Sequence, residues 1–322
     1  MIEEEICKVA FIGAGYMTSE HLKAFQGLPS VELSGISSRT IDRSKTLAQS
    51  YDIKNVCESI GQLYEATQAN LVVISVPELS LFNVCKEVFK YPWVCLIEKP
   101  VGYNLQDAQN IQDMAITEGR QVFVALNRRH YSSTKALIDD MSHQEGARLI
   151  HVYDQEDQAA ALKAGQPELV VRNWMYANSI HLIDYFNFLG RGVVVCVDPI
   201  IPWTPDNPGI VMSKITYSSG DVGIYEAAWN RPGPWAVTVS SEQKRWELRP
   251  LEQATFQNYG SRTPELVPIN RWDSEFKPGL RVQAQEAIKA LLGQAHKLPS
   301  LAEAMQSMQL VHGIYYPGVE ND

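Results

Sequence analysis

The sequence predicts an α/β chain of two domains, a doubly wound parallel sheet over 1–126 and then an α+β domain with an open, mostly antiparallel sheet over 127–322. Three observations predict it. In the first third, short continuous apolar runs alternate with apolar residues at helical spacing, the pattern of a parallel sheet covered on both faces. A glycine-bearing turn, Gly13-Ala14-Gly15, follows the first of those runs. Beyond 127, strand-like stretches come in series with turn residues between them, which implies antiparallel pairing. A length of 322 residues holds two cores at roughly 100–200 residues per domain.

The elements follow in order. Cys7–Ile12 is a compact apolar strand ending at Gly13. A helix is predicted over 19–27, with Leu22 and Phe25 on one face, then a strand over 31–36 and a helix over 41–51. The run 71–76 is a fully apolar strand closed by Pro77. Leu81, Val84, Cys85 and Val88 set a helix over 80–90. A strand over 94–97, a helix over 105–118 and a strand over 121–126 complete the first domain. In the second, a strand over 148–153 precedes a helix over 174–189, with Gly190 at the C′ position. Strands are then expected over 193–197, Ile210–Tyr217, Val222–Trp229, 235–240 and 245–248. The separators Ser219-Gly220-Asp221 and Arg231-Pro232-Gly233-Pro234 carry turn chemistry. Helices over 283–292 and 301–311 close the chain and are placed to pack back on the first domain.

Composition excludes several classes. With 45% hydrophobic and 20% charged residues, nothing reads as disordered or fibrous. A net charge of −9 lacks the basic footprint of general nucleic-acid binding, so no nucleic-acid partner is expected. Cys7, Cys57, Cys85, Cys95 and Cys196 show no ligand or disulfide spacing. Runs such as Val94-Cys95-Leu96 and Val195-Cys196-Val197 read as buried strands, so core thiols in a reducing compartment are expected. The start MIEEEICKVAFIG is acidic and unlike a signal peptide. No segment approaches the ~20 apolar residues of a membrane helix. The expected location is the cytoplasm, with no membrane partner. His130, His143, His151, His296 and His312 show no metal-ligand spacing, so no metal is expected.

The turn Gly13-Ala14-Gly15-Tyr16-Met17-Thr18 sits between the first strand and the first helix. There the first glycine permits the tight turn and the second lets backbone approach a pyrophosphate, which the helix N-terminus attracts. Gly13, Gly15, Tyr16 and Met17 are the candidate contacts, and Thr18 replaces the usual third glycine. The second strand ends in Ile36-Ser37-Ser38-Arg39-Thr40, with no carboxylate for a ribose 2′-hydroxyl. Ser38 and Arg39 are suited to a 2′-phosphate, so NADP is expected over NAD.

Ile97-Glu98-Lys99-Pro100-Val101 follows a buried strand about 85 residues after that turn. Together with the glycine turn and Ser179-Ile180-His181-Leu182-Ile183-Asp184, in this order, it resembles the Gfo/Idh/MocA oxidoreductases. Val76-Pro77, Asn127-Arg128-Arg129-His130 and Phe276-Lys277-Pro278-Gly279-Leu280 match further family segments. The resemblance implies a Rossmann domain that also uses Val76, Pro77, Glu98 and Lys99 around the dinucleotide. It implies hydride transfer between a nicotinamide and a hydroxyl or keto carbon of a sugar or nucleotide-sugar-like substrate. Lys99 then stabilises the alkoxide and His181 acts as general acid/base. The family often has an aspartate four residues before this histidine; here that residue is Ala177. Asp184 either orients the histidine or packs. Of Arg128 and Arg129, one faces the cleft and the other is exposed or ion-paired. Trp174, Tyr176, Trp229 and Trp235 either stack on a ligand or fill the core, and Asn178 is a candidate substrate contact. Loss of the aspartate keeps a second reading open, a non-catalytic dinucleotide-binding sensor on the same fold. The open second sheet implies a homodimer or homotetramer.

Overall fold

The computed structural model describes residues 6–318. Residues 1–5, the acidic start read above as unlike a signal peptide, and 319–322 lie outside the described residues. The chain opens with β1 (Cys7–Ile12), α1 (Tyr16–Phe25), β2 (Val31–Ser37), α2 (Ile41–Ser50), β3 (Asn55–Cys57), α3 (Ile60–Thr67), β4 (Leu71–Ile74), α4 (Glu78–Val88), β5 (Val94–Glu98), α5 (Leu105–Thr117) and β6 (Val122–Ala125). After a 3₁₀ turn at Asn127–His130 come α6 (Ser132–Met141), β7 (Leu149–Glu156), α7 (Gln158–Lys163) and α8 (Glu168–Arg172). A π-helical turn at Met175–Ser179 leads into α9 (Ile180–Leu189). Then follow β8 (Val194–Ile201), β9 (Ile210–Tyr217), β10 (Val222–Trp229), β11 (Ala236–Ser240), β12 (Lys244–Leu248), β13 (Ala254–Asn258) and β14 (Glu265–Val267). Helices α10 (Trp272–Glu275), α11 (Leu280–Leu291) and α12 (Leu301–Tyr315) finish the chain. No helix among the described residues is long and apolar enough to cross a membrane.

Two compact units result. The first takes the chain through Gly102, Gln106–Asn127 and Trp272–Ala304. The second takes Tyr103–Leu105, Arg128–Arg271 and the chain from Met305 onward.

In the first unit six parallel strands run in the order β3-β2-β1-β4-β5-β6. The order reverses direction between β1 and β4, where a crevice opens at the carboxyl ends of the strands. The apolar runs are central strands: every residue of β4 and β6 is buried. Phe11 of β1 meets Phe25 of α1 edge-on at 6.0 Å, and each buried side chain of this size contributes about 1.5–3 kcal/mol. The late segment joins this core through Leu280, Ala284, Ala287 and Leu298. Arg281 donates to the carbonyls of Ala24 and Gln26 at 2.7 Å each, satisfying groups at the end of α1.

The second unit holds an eight-stranded sheet in the order β14-β13-β12-β11-β7-β10-β9-β8. Only β7 and β10 pair in parallel; the other pairs are antiparallel. The run 193–197, expected as a buried strand, falls at the start of β8, the edge strand, and is exposed except at half-buried Val197. Cys196 is therefore exposed, whereas Cys7, Cys57, Cys85 and Cys95 are buried. Burial pushes the Cys95 thiol up to about 12.

Gly190 ends α9 for a different reason from the one expected. Its backbone is extended (φ −74°, ψ 145°), not left-handed. A Cβ there would stand 2.3 Å from the Tyr217 ring, whose hydroxyl donates to the Phe186 carbonyl at 2.9 Å. The glycine lets a strand residue seal the helix end. Gly190→Ala should lower stability by about 1–3 kcal/mol, the usual cost of overpacking. Urea unfolding measures this, and an unchanged midpoint would contradict the close approach.

Candidate functional site

The first unit carries a cleft of about 450 Å³ at the β1/β4 crevice, lined by Gly13, Gly15, Ser38, Arg39, Arg43, Glu58, Val76 and Pro77 among others. Its floor is backbone. Gly13 has φ +113°, and a Cβ on it would lie 2.0 Å from the Ser75 carbonyl oxygen, so only glycine fits. A Cβ on Gly15 would meet no atom within 4 Å. It would project into open space, the space a phosphate needs to approach the backbone. Thr18, in the third glycine's place, is fully buried beneath the turn, and its Oγ1 accepts from the Gly15 N–H at 3.3 Å. No acidic residue stands in the first turn of α1, so the positive end of the helix is left available for an anion. These features fit the diphosphate of a dinucleotide.

At the far end of β2, Arg39 and Arg43 both line the cleft and are exposed. Neither guanidinium has a partner among the described residues. Ser38 lines the same wall, but its hydroxyl donates to the Thr40 carbonyl at 2.9 Å and accepts from Ser44 at 2.7 Å. Two guanidiniums thus face one carboxylate, Glu58. Sequence reasoning missed Arg43; its position four residues after Arg39, on the first turn of α2, was the signal.

Four expected cofactor residues do not line the cleft. Tyr16 points outward at 67% exposure, with Lys277 Nζ 5.5 Å from its ring centre. Met17 packs against the hydrophobic core. Glu98 is engaged by buried His21, at 2.6 Å between Nε2 and Oε1. Lys99 directly follows β5 in this unit, half-buried, with a cis bond to Pro100.

In the second unit, Trp174, Asn178 and Trp235 come together around an open cavity of about 490 Å³, with Glu156, Ala160 and Gly233. Trp235 is fixed by its Nε1–H to the Gln155 carbonyl at 2.8 Å, and the Arg128 guanidinium lies 4.9 Å over its ring. Such a pair is a cation–π contact. Trp174 Nε1 and Asn178 Nδ2 donate to Glu156 Oε2 at 2.7 and 2.9 Å.

Arg129 is the ion-paired arginine of the two. Its Nε and Nη2 reach both oxygens of Asp184 at 2.8 and 2.7 Å, and Ser307 Oγ donates to the same carboxylate at 2.6 Å. Asp184 is thereby committed to packing α9. Tyr176 is buried, its hydroxyl 3.0 Å from His312 Nδ1, and Trp229 is buried on Tyr315. His181 sits in the first turn of α9 at 9% exposure, one turn after buried Ala177 in the π-helical segment. That segment was expected as regular helix; π-bulges interrupt a helix without changing its apolar spacing enough to be read. His181 does not line the Trp174–Trp235 cavity.

The Arg129–Asp184 pair is deeply buried, with side chains 11% and 3% exposed. Asp184→Ala strands a guanidinium and should cost about 3–5 kcal/mol. Urea denaturation measures it, and a loss below about 1 kcal/mol would show the pair to be dispensable.

Residues 7–126 match the family model described as "Oxidoreductase family, NAD-binding Rossmann fold" (Gfo/Idh/MocA). A search of curated proteins gives no match. Among solved structures, the chain is similar to a dehydrogenase from Chromobacterium violaceum, at 16% identity and TM-score 0.82 over 97% of this chain and 95% of that one. It is similar to UDP-N-acetylglucosamine 3-dehydrogenase from Acidithiobacillus ferrooxidans, at 15% identity and TM-score 0.76 over 95% and 96%. It is also similar to the WlbA dehydrogenase from C. violaceum, solved with NADH and UDP-GlcNAcA, at 16% identity and TM-score 0.75 over 97% and 94%. At these identities the structures establish a shared fold. Residues 7–126 thus match the NAD-binding Rossmann domain of the Gfo/Idh/MocA oxidoreductase family.

Proposed function

We infer that this protein is an NAD(P)-dependent dehydrogenase or ketoreductase acting on a CH–OH group of a sugar or nucleotide-linked sugar, with NADP preferred. The observation that carries the reading is the cleft at the β1/β4 crevice, with a glycine floor and two unpartnered guanidiniums, Arg39 and Arg43, at its ribose end. A 2′-phosphate supplies the charge those guanidiniums lack. Val76 and Pro77, on the opposite wall, give the dinucleotide an apolar edge.

The bound nicotinamide supplies a hydride acceptor or donor. Lys99 holds a positive charge at the substrate oxygen as it becomes alkoxide, and His181 takes or returns the proton. Trp174, Trp235, Asn178 and Arg128 offer ring faces and hydrogen bonds of the kind a sugar takes. The relatives named for UDP-N-acetylglucosamine, or solved with UDP-GlcNAcA, support a nucleotide-linked sugar. The exposed apolar side chains of β8, Val194, Val195, Ile200 and Ile201, support assembly into a homo-oligomer.

Ala177, where a carboxylate is common in the family, favours the alternative of a non-catalytic dinucleotide sensor. Turnover decides between them. A panel of sugars and nucleotide sugars, followed by nicotinamide absorbance, should yield a substrate. On it, Lys99→Ala should lower kcat/KM by about 10²–10³-fold, and His181→Ala should lower it by about 10²–10⁴-fold. Turnover undiminished in Lys99→Ala would remove the assignment of that residue. A protein that binds dinucleotide and turns over nothing in the panel would favour the sensor.

A further inference from the structure

Strand β7 alternates buried and less buried residues. Its buried face begins with Ile150 and Val152 and then continues into Asp154 and Glu156. Both carboxyls are 1% exposed. Neither makes an ion pair among the described residues, and burying two unpaired negative charges side by side is prohibitively costly.

Their surroundings are arranged for a different state. Tyr225 of β10 donates to Asp154 Oδ2 at 2.7 Å, and Tyr315 of α12 lies 2.8 Å from that hydroxyl. Glu156 accepts from Trp174 and Asn178 and, at 3.3 Å, from Ser179 Oγ. Asp154 Oδ1 is buried, with no N–H or side-chain hydroxyl donor. A carboxyl proton on Glu156, the next residue along the same buried strand face, would supply the donor it lacks. Burial, reinforced by the Asp154 charge, holds Glu156 well above the usual carboxylate range. Burial also raises Asp154, against the hydrogen bond from Tyr225. Both directions favour a proton retained by the pair.

This state has a consequence for the cavity. Glu156 engages Asn178 through Nδ2, so the amide Oδ1, which has no partner among the described residues, is left as an acceptor at the cavity wall. The same carboxyl pins Trp174 by its indole N–H. We propose that Glu156 and Asp154 share one proton at neutral pH, and that Glu156 acts as a positioning residue. In that role it presents Asn178 Oδ1 and the Trp174 ring to a hydroxyl-bearing, uncharged ring. The substrate half of this statement rests on the proposed function; the shared proton does not.

The test of the shared proton uses the protein without ligand. An infrared spectrum at neutral pH should contain a protonated-carboxyl C=O band that disappears in Glu156→Gln. The pH dependence of stability is a second readout. A carboxyl whose pKa is raised by folding binds a proton that the unfolded chain has released, so its contribution falls as pH rises above the unfolded value. The melting temperature of Glu156→Gln should therefore gain on the wild type from about pH 5 to about pH 8. The groups facing the pair are Tyr225, Tyr315, Trp174, Asn178 and Ser179, none of which ionises in that window. If Glu156→Gln does not fold, Asp154→Asn should show the same relative gain. Parallel melting profiles and an unchanged carbonyl region would overturn the shared proton. For the positioning role, with a substrate from the turnover panel, Glu156→Ala, which releases Trp174 and Asn178, and Asn178→Ala should each raise KM about tenfold with kcat less affected. An unchanged KM in Asn178→Ala would overturn the positioning role and leave the proposed reaction standing.

Discussion

The turn after β1 lies against the end of β4 with no room for a side chain between them. Gly13 donates to the Ser37 carbonyl at 2.8 Å on one side, and Ser75 donates to the Ile12 carbonyl at 2.8 Å on the other. A Cβ at Gly13 would stand 2.0 Å from the Ser75 oxygen. This contact clamps the ends of three neighbouring strands at the point where the sheet order reverses, and α1 starts from it. Gly15, the N-terminus of α1, the Ser38–Arg39 end of β2 and Val76–Pro77 after β4 all line one cleft because the clamp fixes where each of them begins.

The second unit depends on its central parallel pair, β7 and β10. That pairing sets Tyr225 opposite Val152, one step along the same face from Asp154, and carries Glu156 to the wall of the cavity that Trp174 and Asn178 also line. The polar residues so buried are satisfied by one another: Tyr315 to Tyr225 to Asp154, and Glu156 to Trp174, Asn178 and Ser179. A network of this kind specifies a particular arrangement more strictly than apolar packing does, because a single missing partner leaves a buried group unpaired.

How much of this was legible in the sequence follows from the range of the forces involved. β1, β9 and β10 could be read to the residue, since an apolar run or a period-two alternation bounded by glycine and turn residues is a local signal. β3, three residues long, has no such signal and is a strand because β2 pairs with it. β8 reads as a buried strand by composition, yet it is exposed because it lies at the sheet edge, and position in a sheet is not a local property. The cleft residues Gly13, Gly15, Arg39, Val76 and Pro77 were legible because the turn chemistry demands them. Tyr16 and Met17 share the motif but not the wall, since side chains on successive helical residues point in different directions. Glu98 could not be separated from the cofactor residues without His21, which reaches it from α1. Glu156 was illegible as a site residue because its partners lie 18 to 23 positions away; the one trace was two carboxylates in the register that Ile150 and Val152 begin.

The central claim is that the cleft holds a dinucleotide with its 2′-phosphate between Arg39 and Arg43. Calorimetric titration with NADPH and NADH, repeated on the Arg39→Ala/Arg43→Ala variant, tests it most directly. The account predicts NADPH tighter than NADH by about tenfold or more, as expected for charge-assisted bonds to a phosphate, and no preference in the variant. NADH binding as tightly as NADPH, with the variant unchanged, would contradict the phosphate assignment, and binding of neither would contradict the cleft itself.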